Sequence, residues 1–313
     1  MDTSIRLLRK SELEEADHIF RLAFGTFVGL PEPTQFSGDA NYISHRWKAN
    51  PNGTFAAFVD GKLIGSNLAT QWGSFGWFGP LSVHPDFWNQ KIAQLLIEAV
   101  MEHFTQSGIQ QAGLFTFSNS PKHHALYQKF GFWQRFLTCV MSKPISGVEQ
   151  RVPQASYSLI TQEQRCQCLT ASVELTNVIY PGLDVSREIS TVYEEKLGDT
   201  VFIWDETGLV AFAICHCGAL TEAGSDTCYV KFAAVRPSLD ASTHFEQLLN
   251  LCEMLTTKAG MSRLVAGVNT SHHDAYRQMI ARGFRTEITG IAMHKPNEPG
   301  FARPDVFVLN DLR

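Results

Sequence analysis

The segment Gly79-Pro80-Leu81-Ser82-Val83-His84-Pro85-Asp86-Phe87-Trp88-Asn89-Gln90-Lys91-Ile92-Ala93-Gln94-Leu95-Leu96 joins an apolar strand-like run to an amphipathic helix through a turn carrying Pro85. The first-turn N–H groups of such a helix have no intrahelical acceptors, and the helix dipole adds partial positive charge at the same place. Asn89, Gln90, Lys91, Ile92, Ala93 and Gln94 are therefore expected to hold an anion such as a phosphate, with the Lys91 ammonium either adding charge or pointing into solvent. Other residues that could do chemistry have plainer readings beside the functional one. His84 ends the strand and reads as a turn residue rather than a base, while His123 and His124 read as solvated or structural. Trp72, Phe75, Trp77 and Phe78 are dense enough to line an aromatic pocket, but the strand core is the simpler reading. Cys166/Cys168 and Cys215/Cys217 are C-x-C pairs without the C-x2–4-C spacing of zinc sites, so packing along one element explains them and no metal is expected.

The strand–turn–helix unit, taken with Ser118–Phe132, resembles the cofactor-binding core of the GNAT acetyltransferase superfamily. There a Q/R-x-x-G-x-G/A loop cradles the acetyl-CoA pyrophosphate with backbone amides. Here Trp88 stands at the Gln/Arg position, Lys91 at the first glycine, and Ala93 satisfies the last position. The resemblance implies that Leu81, Ser82 and Val83 pair with the pantetheine arm as an added strand. It also implies a polar cofactor contact at Ser120, with Asn119 beside it. Ala125-Leu126-Tyr127-Gln128-Lys129-Phe130-Gly131-Phe132 is similar to the family's closing motif, which implies that Tyr127 protonates the departing thiolate. A phenol, with an ordinary pKa near 10, is a competent donor for that step; a tyrosine packing a helix onto a sheet is the plainer alternative. No motif marks a general base.

The elements that must position these residues occur twice. Val83-His84-Pro85 precedes Gly131-Phe132 by the same 48 positions that separate Val235-Arg236-Pro237 from Gly283-Phe284. After each proline comes a helical pattern: Ile92, Leu95, Leu96, Ala99, Val100, His103 and Phe104 in one copy; Phe245, Leu248, Leu249, Cys252 and Leu255 in the other. Apolar runs Ala112–Phe117 and Leu264–Val268 follow. Upstream, Asp60-Gly61 is a two-residue hairpin signal, and residues 205–208 form its counterpart. Each copy reads strand–helix–helix–three strands–helix–strand–helix–strand. This is an α+β plan of two tandem GNAT-like domains, each with a mixed, mostly antiparallel sheet, expected at 1–143 and 155–313 with a linker across 142–154. The second copy lacks the loop chemistry. Ser238–His244 has no glycine and no lysine or arginine to meet a phosphate, Asp240 would repel it, and Met279 replaces the tyrosine, so this copy is expected to brace the first copy or close its cleft.

Hydrophobic residues at 44% and charged residues at 18% exclude wholesale disorder. A formal charge of −5 advertises no surface for nucleic acid. No stretch is apolar enough to span a bilayer, and residues 1–15 carry no signal-peptide core, so no membrane contact and a cytoplasmic location are expected. The leading expectation is an acetyl-CoA-dependent N-acetyltransferase acting on a small-molecule primary amine. The alternative is a catalytically inactive tandem protein that binds acyl-CoA or regulates; modification of a ribosomal protein or tRNA is a third reading. The oligomeric state is left open.

Overall fold

The computed structural model describes residues 3–146 and 156–313. Strand β1 (Thr3–Leu7) is followed by helices α1 (Leu13–Val28) and α2 (Ile43–Ala49). Strands β2 (Thr54–Val59), β3 (Lys62–Trp72) and β4 (Phe75–Val83), helix α3 (Ile92–Gln106), β5 (Gln111–Phe117), α4 (Pro121–Gln128) and β6 (Trp133–Pro144) complete the first half. The second half repeats the order with α5 (Gln162–Ile179), α6 (Ser186–Glu194), β7 (Gly198–Asp205), β8 (Gly208–Gly218), β9 (Gly224–Val235), α7 (Ala241–Lys258), β10 (Arg263–Asn269), α8 (His273–Ala281) and β11 (Arg285–Lys295), then adds β12 (Phe307–Leu309). Among the described residues, the place of its opening strand holds the bridge Ser156↔Val201. The Asp60-Gly61 turn forms as the dipeptide suggests, with both residues at positive φ (49° and 78°), as a type I′ hairpin requires. The apolar stripe of α3 (Ile92, Leu96, Ile97, Val100, Phe104) is buried, which sets this helix and its N-terminus across the sheet.

All strands lie in one sheet, in the order β1-β2-β3-β4-β5-β11-β6-β10-β9-β8-β7, with β12 beside β9. In this order the mixed, mostly antiparallel sheets of the two halves run on into each other. Strand β6 leaves its own half to pair antiparallel with β10 (Asn269↔Thr138), and β11 crosses the other way to pair with β5 (Gly290↔Phe117). The two exchanged strands also pair with each other at the centre. A cut between 143 and 155 therefore divides the chain but not the sheet. The expected linker at 142–154 is strand up to Pro144, and its portion from 147 lies outside the described residues. Each edge of this central pair buries apolar side chains, so the exchange is held by core as well as ladder. Cys139 and Met141 of β6 pack with Val268 and Phe284, while Met293 of β11 packs with Leu114 and Phe132.

Candidate active site

Parallel pairing of β4 with β5 covers only Phe75↔Gln111 to Trp77↔Gly113, after which the two strands part. On the other side β4 stays bonded to β3, with Ser66↔Ser82 in register and the His84 N–H donating to the Ile64 carbonyl (2.8 Å). Successive backbone groups alternate sides along a strand, so the Leu81 and Val83 carbonyls and the Val83 N–H point into the gap. Ser82 does not. Its carbonyl lies against Gly65 of β3, where a Cβ would come within 2.6 Å, and its buried hydroxyl sits 3.3 Å from that of Ser66. The expectation that Ser82 meets the cofactor is thus corrected for its polar groups, while Leu81 and Val83 offer an open strand edge.

The loop after β4 is wound to aim helix α3 at this gap. A 3-10 turn at Pro85–Phe87 follows His84, whose Nδ1 accepts from the Asp86 N–H (3.3 Å), so His84 is a turn residue. Asn89 and Lys91 both take left-handed backbone (φ 65° and 66°), and Lys91 caps α3. The glycine position of the loop thus has the conformation that favours glycine, although a lysine occupies it. The Gln94 N–H donates to the Lys91 carbonyl (3.0 Å), which leaves the N–H groups of Ile92 and Ala93 at the helix mouth. Gln90 is tied by its side chain to the Asp86 carbonyl (3.1 Å), and Asn89, Gln90 and Lys91 are exposed.

Two features here were not legible in the sequence. The Trp88 indole N–H donates to the Val83 carbonyl (2.7 Å), so the residue at the loop's Gln/Arg position caps one acceptor of the strand edge. Lys122, in the first turn of α4, lies 5.8 Å from the Trp88 ring centroid and brings a second cation to the loop. Only the fold places residue 122 beside residue 88.

Helix α4 begins just beyond β5. Ser120 is its buried N-cap residue, its carbonyl accepting from His123 and His124, and Asn119 is exposed beside it. One turn further, the Tyr127 ring is buried 6.0 Å from Phe78 of β4, next to Phe132. Burial pushes its hydroxyl above the ordinary phenol range, so it stays protonated at neutral pH. The His124 Nε2 is bonded to the Phe117 carbonyl (3.1 Å). His123 stacks at 4.7 Å on Phe27, and burial first, then the charges of Lys122 and His124, pushes it below its ordinary value. Trp72, Phe75, Trp77 and Phe78 are all core, the first three packing against Phe232, Leu183 and Phe301 of the second half.

The second half reaches the site twice. The Ser118 hydroxyl donates to the Thr289 carbonyl of β11 (3.0 Å). Arg46 of α2 donates to the Gly79 carbonyl on β4 (2.9 Å) and forms a fully buried ion pair with Glu222 (2.7 Å), which also receives Lys231 (2.5 Å). Burial opposes the Glu222 charge, but Arg46 and Lys231 outweigh it and hold the carboxyl well below its usual range. A buried arginine is among the rarest placements for that residue type, and no sequence pattern announced Arg46.

In the second half the equivalent gap is closed. Ala233, Ala234 and Val235 occupy the places of Leu81, Ser82 and Val83 in the repeat, and they pair antiparallel with Leu309, Val308 and Phe307 of β12. This chain's own strand thus fills the edge that stands open in the first half. A separate cavity of about 10 Å3, bordered by Asn269, His272 and Asp311, has room for one water. Met279, fully buried, takes the tyrosine's place.

Residues 15–132 match the family model described as acetyltransferase (GNAT) family. Among solved structures, a Pyrococcus horikoshii protein provisionally described as an acetyltransferase is 14% identical, covering 97% of this chain and 92% of its own, at a TM-score of 0.66. A GCN5-related N-acetyltransferase from Sphaerobacter thermophilus is 13% identical over 94% of this chain and 95% of its own, at 0.61. One from Anabaena variabilis is 12% identical over 94% and 72%, at 0.54. At these identities the likeness establishes the fold, and it does so for both halves together. No curated protein matches the chain significantly. Among the described residues no helix is long and apolar enough to cross a membrane. With its open strand edge, helix mouth and closing tyrosine inside the matched span, the segment 15–132 matches the acetyltransferase (GNAT) family, in a chain whose second half repeats the same order of elements.

Proposed function

We propose that this chain is an acetyl-CoA-dependent N-acetyltransferase that acylates a small-molecule primary amine, with one cofactor bound per chain in the first half. The observation that carries the reading is the asymmetry of the two gaps: β4 presents Leu81 and Val83 at an open edge, whereas β12 seals the same edge of β9. Acetyl-CoA supplies the thioester. The backbone of Leu81 and Val83 would hold its pantetheine amides, and the N–H groups of Ile92 and Ala93, with Lys91 and Lys122 nearby, would hold its phosphates. The amine nitrogen attacks the thioester carbonyl, the C–N bond forms and the C–S bond breaks, and the proton the nitrogen sheds passes to water, which returns one to Tyr127. The Val83 N–H is suited to the oxyanion that develops, and the Tyr127 hydroxyl gives its proton to the leaving thiolate. Calorimetric titration with acetyl-CoA, followed by thiol-release assays on an amine panel, tests this. Submillimolar binding and turnover of at least one amine is the expected result.

A second reading, a cofactor-binding or regulatory protein without turnover, is favoured by the Trp88 indole already seated on the Val83 carbonyl. Tight binding with no thiol released from any amine would select it.

A further inference from the structure

Cys217 of β8 and Cys228 of β9 stand directly opposite each other on antiparallel strands, with their Sγ atoms 3.4 Å apart. The Cys217 N–H donates to the Leu197 carbonyl (2.8 Å), away from β9, so this is a non-hydrogen-bonded pair with respect to β9. Pairs of that type bring the Cα atoms to about 4.5 Å and the side chains closest together, inside the window of about 4.4–6.8 Å that a disulfide tolerates. Cys217 is half-buried and touches solvent, whereas Cys228 is fully buried. Immediately past Cys217 the strand bulges and enters the turn that grips the first half. In that turn Leu220 O meets His45 Nε2 (2.7 Å), Thr221 O accepts from the Asn41 N–H (2.9 Å), and Glu222 holds Arg46.

We propose that Cys217 and Cys228 form an oxidisable pair that closes to an intrachain disulfide when a peroxide reaches the site. The Cys228 sulfur, which accepts from the Cys217 S–H, attacks as thiolate a peroxide that enters past Cys217, taking one oxygen as a sulfenic acid and releasing hydroxide. The Cys217 sulfur then displaces that hydroxyl from Cys228, so the S–S bond forms as the S–O bond breaks. Overall two thiols and one hydrogen peroxide give one disulfide and two waters; the sulfurs are oxidised and the peroxide is reduced. The bond closes a ring around residues 217–228 and so restricts the turn that holds Arg46. Cys166, exposed on α5, has no such partner within the described residues; Cys215, cross-strand from Val230, also places its buried thiol in hydrogen-bond contact with Cys228, which makes it the competing partner.

The test uses the reduced full chain carrying Cys166→Ser, treated with hydrogen peroxide, alkylated and digested for mass spectrometry. The expected product is a peptide pair linked between 217 and 228, lighter by two hydrogens, present in Cys215→Ser and absent in a folded Cys217→Ser chain. The oxidised chain should also unfold at a higher temperature than the reduced one, and dithiothreitol should reverse the difference. Recovery of both thiols alkylated, a link from Cys228 to Cys215, or equal melting temperatures for linked and reduced chains would overturn the proposal.

Discussion

Tyr127 and Lys91 show how far a single side chain can be judged from its surroundings. Replacing Tyr127 by Phe keeps the ring against Phe78 and removes only the hydroxyl. Cofactor affinity should therefore hold, while turnover falls by roughly 10²-fold or more, the lower end of general-acid contributions. Steady-state rates at saturating acetyl-CoA check this, and unchanged turnover would dismiss Tyr127 as the acid. Because burial holds the hydroxyl's proton above the usual phenol range, deprotonation of Tyr127 should not set an alkaline limb below about pH 10. Lys91 holds a left-handed backbone angle of 66° that disfavours a residue with a Cβ by roughly 1–2 kcal/mol. Lys91→Gly relieves this but frees the unfolded chain, so stability should rise by up to about 1 kcal/mol in urea melts. Cofactor affinity should stay within about tenfold, a difference of about 1.4 kcal/mol, because the backbone amides remain. Abolished binding would make the Lys91 ammonium a phosphate ligand in its own right.

Strands and helices were legible where the pattern was local. The Asp60-Gly61 hairpin, the apolar stripe of α3 and the strand–turn–helix around Pro85 all depend on neighbours within a few residues, and the fold carries them as the sequence suggests. The exchange of β6 and β11 was invisible because the two strands are of similar length and each joins a largely exposed start to a buried later stretch. Local spacing says that a strand exists but not which edge it joins. Strand β12 was missed for a related reason: three residues are too short a run to declare a period. The site shows the same division. Asn89–Gln94 and Tyr127 each stand within a continuous motif, whereas Arg46 and Thr289 arrive from elsewhere and Lys122 meets Trp88 only through the fold. The sealing of the second gap leads to a stoichiometry: titration should give one acetyl-CoA per chain. Met279→Tyr should add no second site, since β12 still pairs with Ala233–Val235. Two equivalent binding events would contradict this.

At the scale of the molecule, the two halves are completed by each other's strands. Fragments 1–146 and 156–313 expressed separately should aggregate, because each leaves the β5 or β10 edge unpaired; expressed together they should yield a soluble one-to-one complex, measured by size exclusion. A soluble, monomeric 1–146 fragment would refute the interdependence. The same core carries three buried histidines. Burial pushes His216 down to about 3 and His272 and His294 down to about 4, against roughly 6.5 in an unfolded chain. With the folded values depressed, their contribution is complete above pH 6.5 and is lost as the pH falls, by roughly 2 kcal/mol each at pH 5. Melting temperatures should thus drop steeply between pH 6.5 and 5, and a flat profile would count against buried neutral imidazoles. The central ladder also sets a timetable for synthesis. Ser118 bonds to Thr289 across 171 positions, so β5 waits with an open edge until nearly the whole chain has left the ribosome. Such long-range closure slows folding and prolongs exposure of a sticky edge. The nascent first half is therefore the stage at which this protein most depends on chaperones.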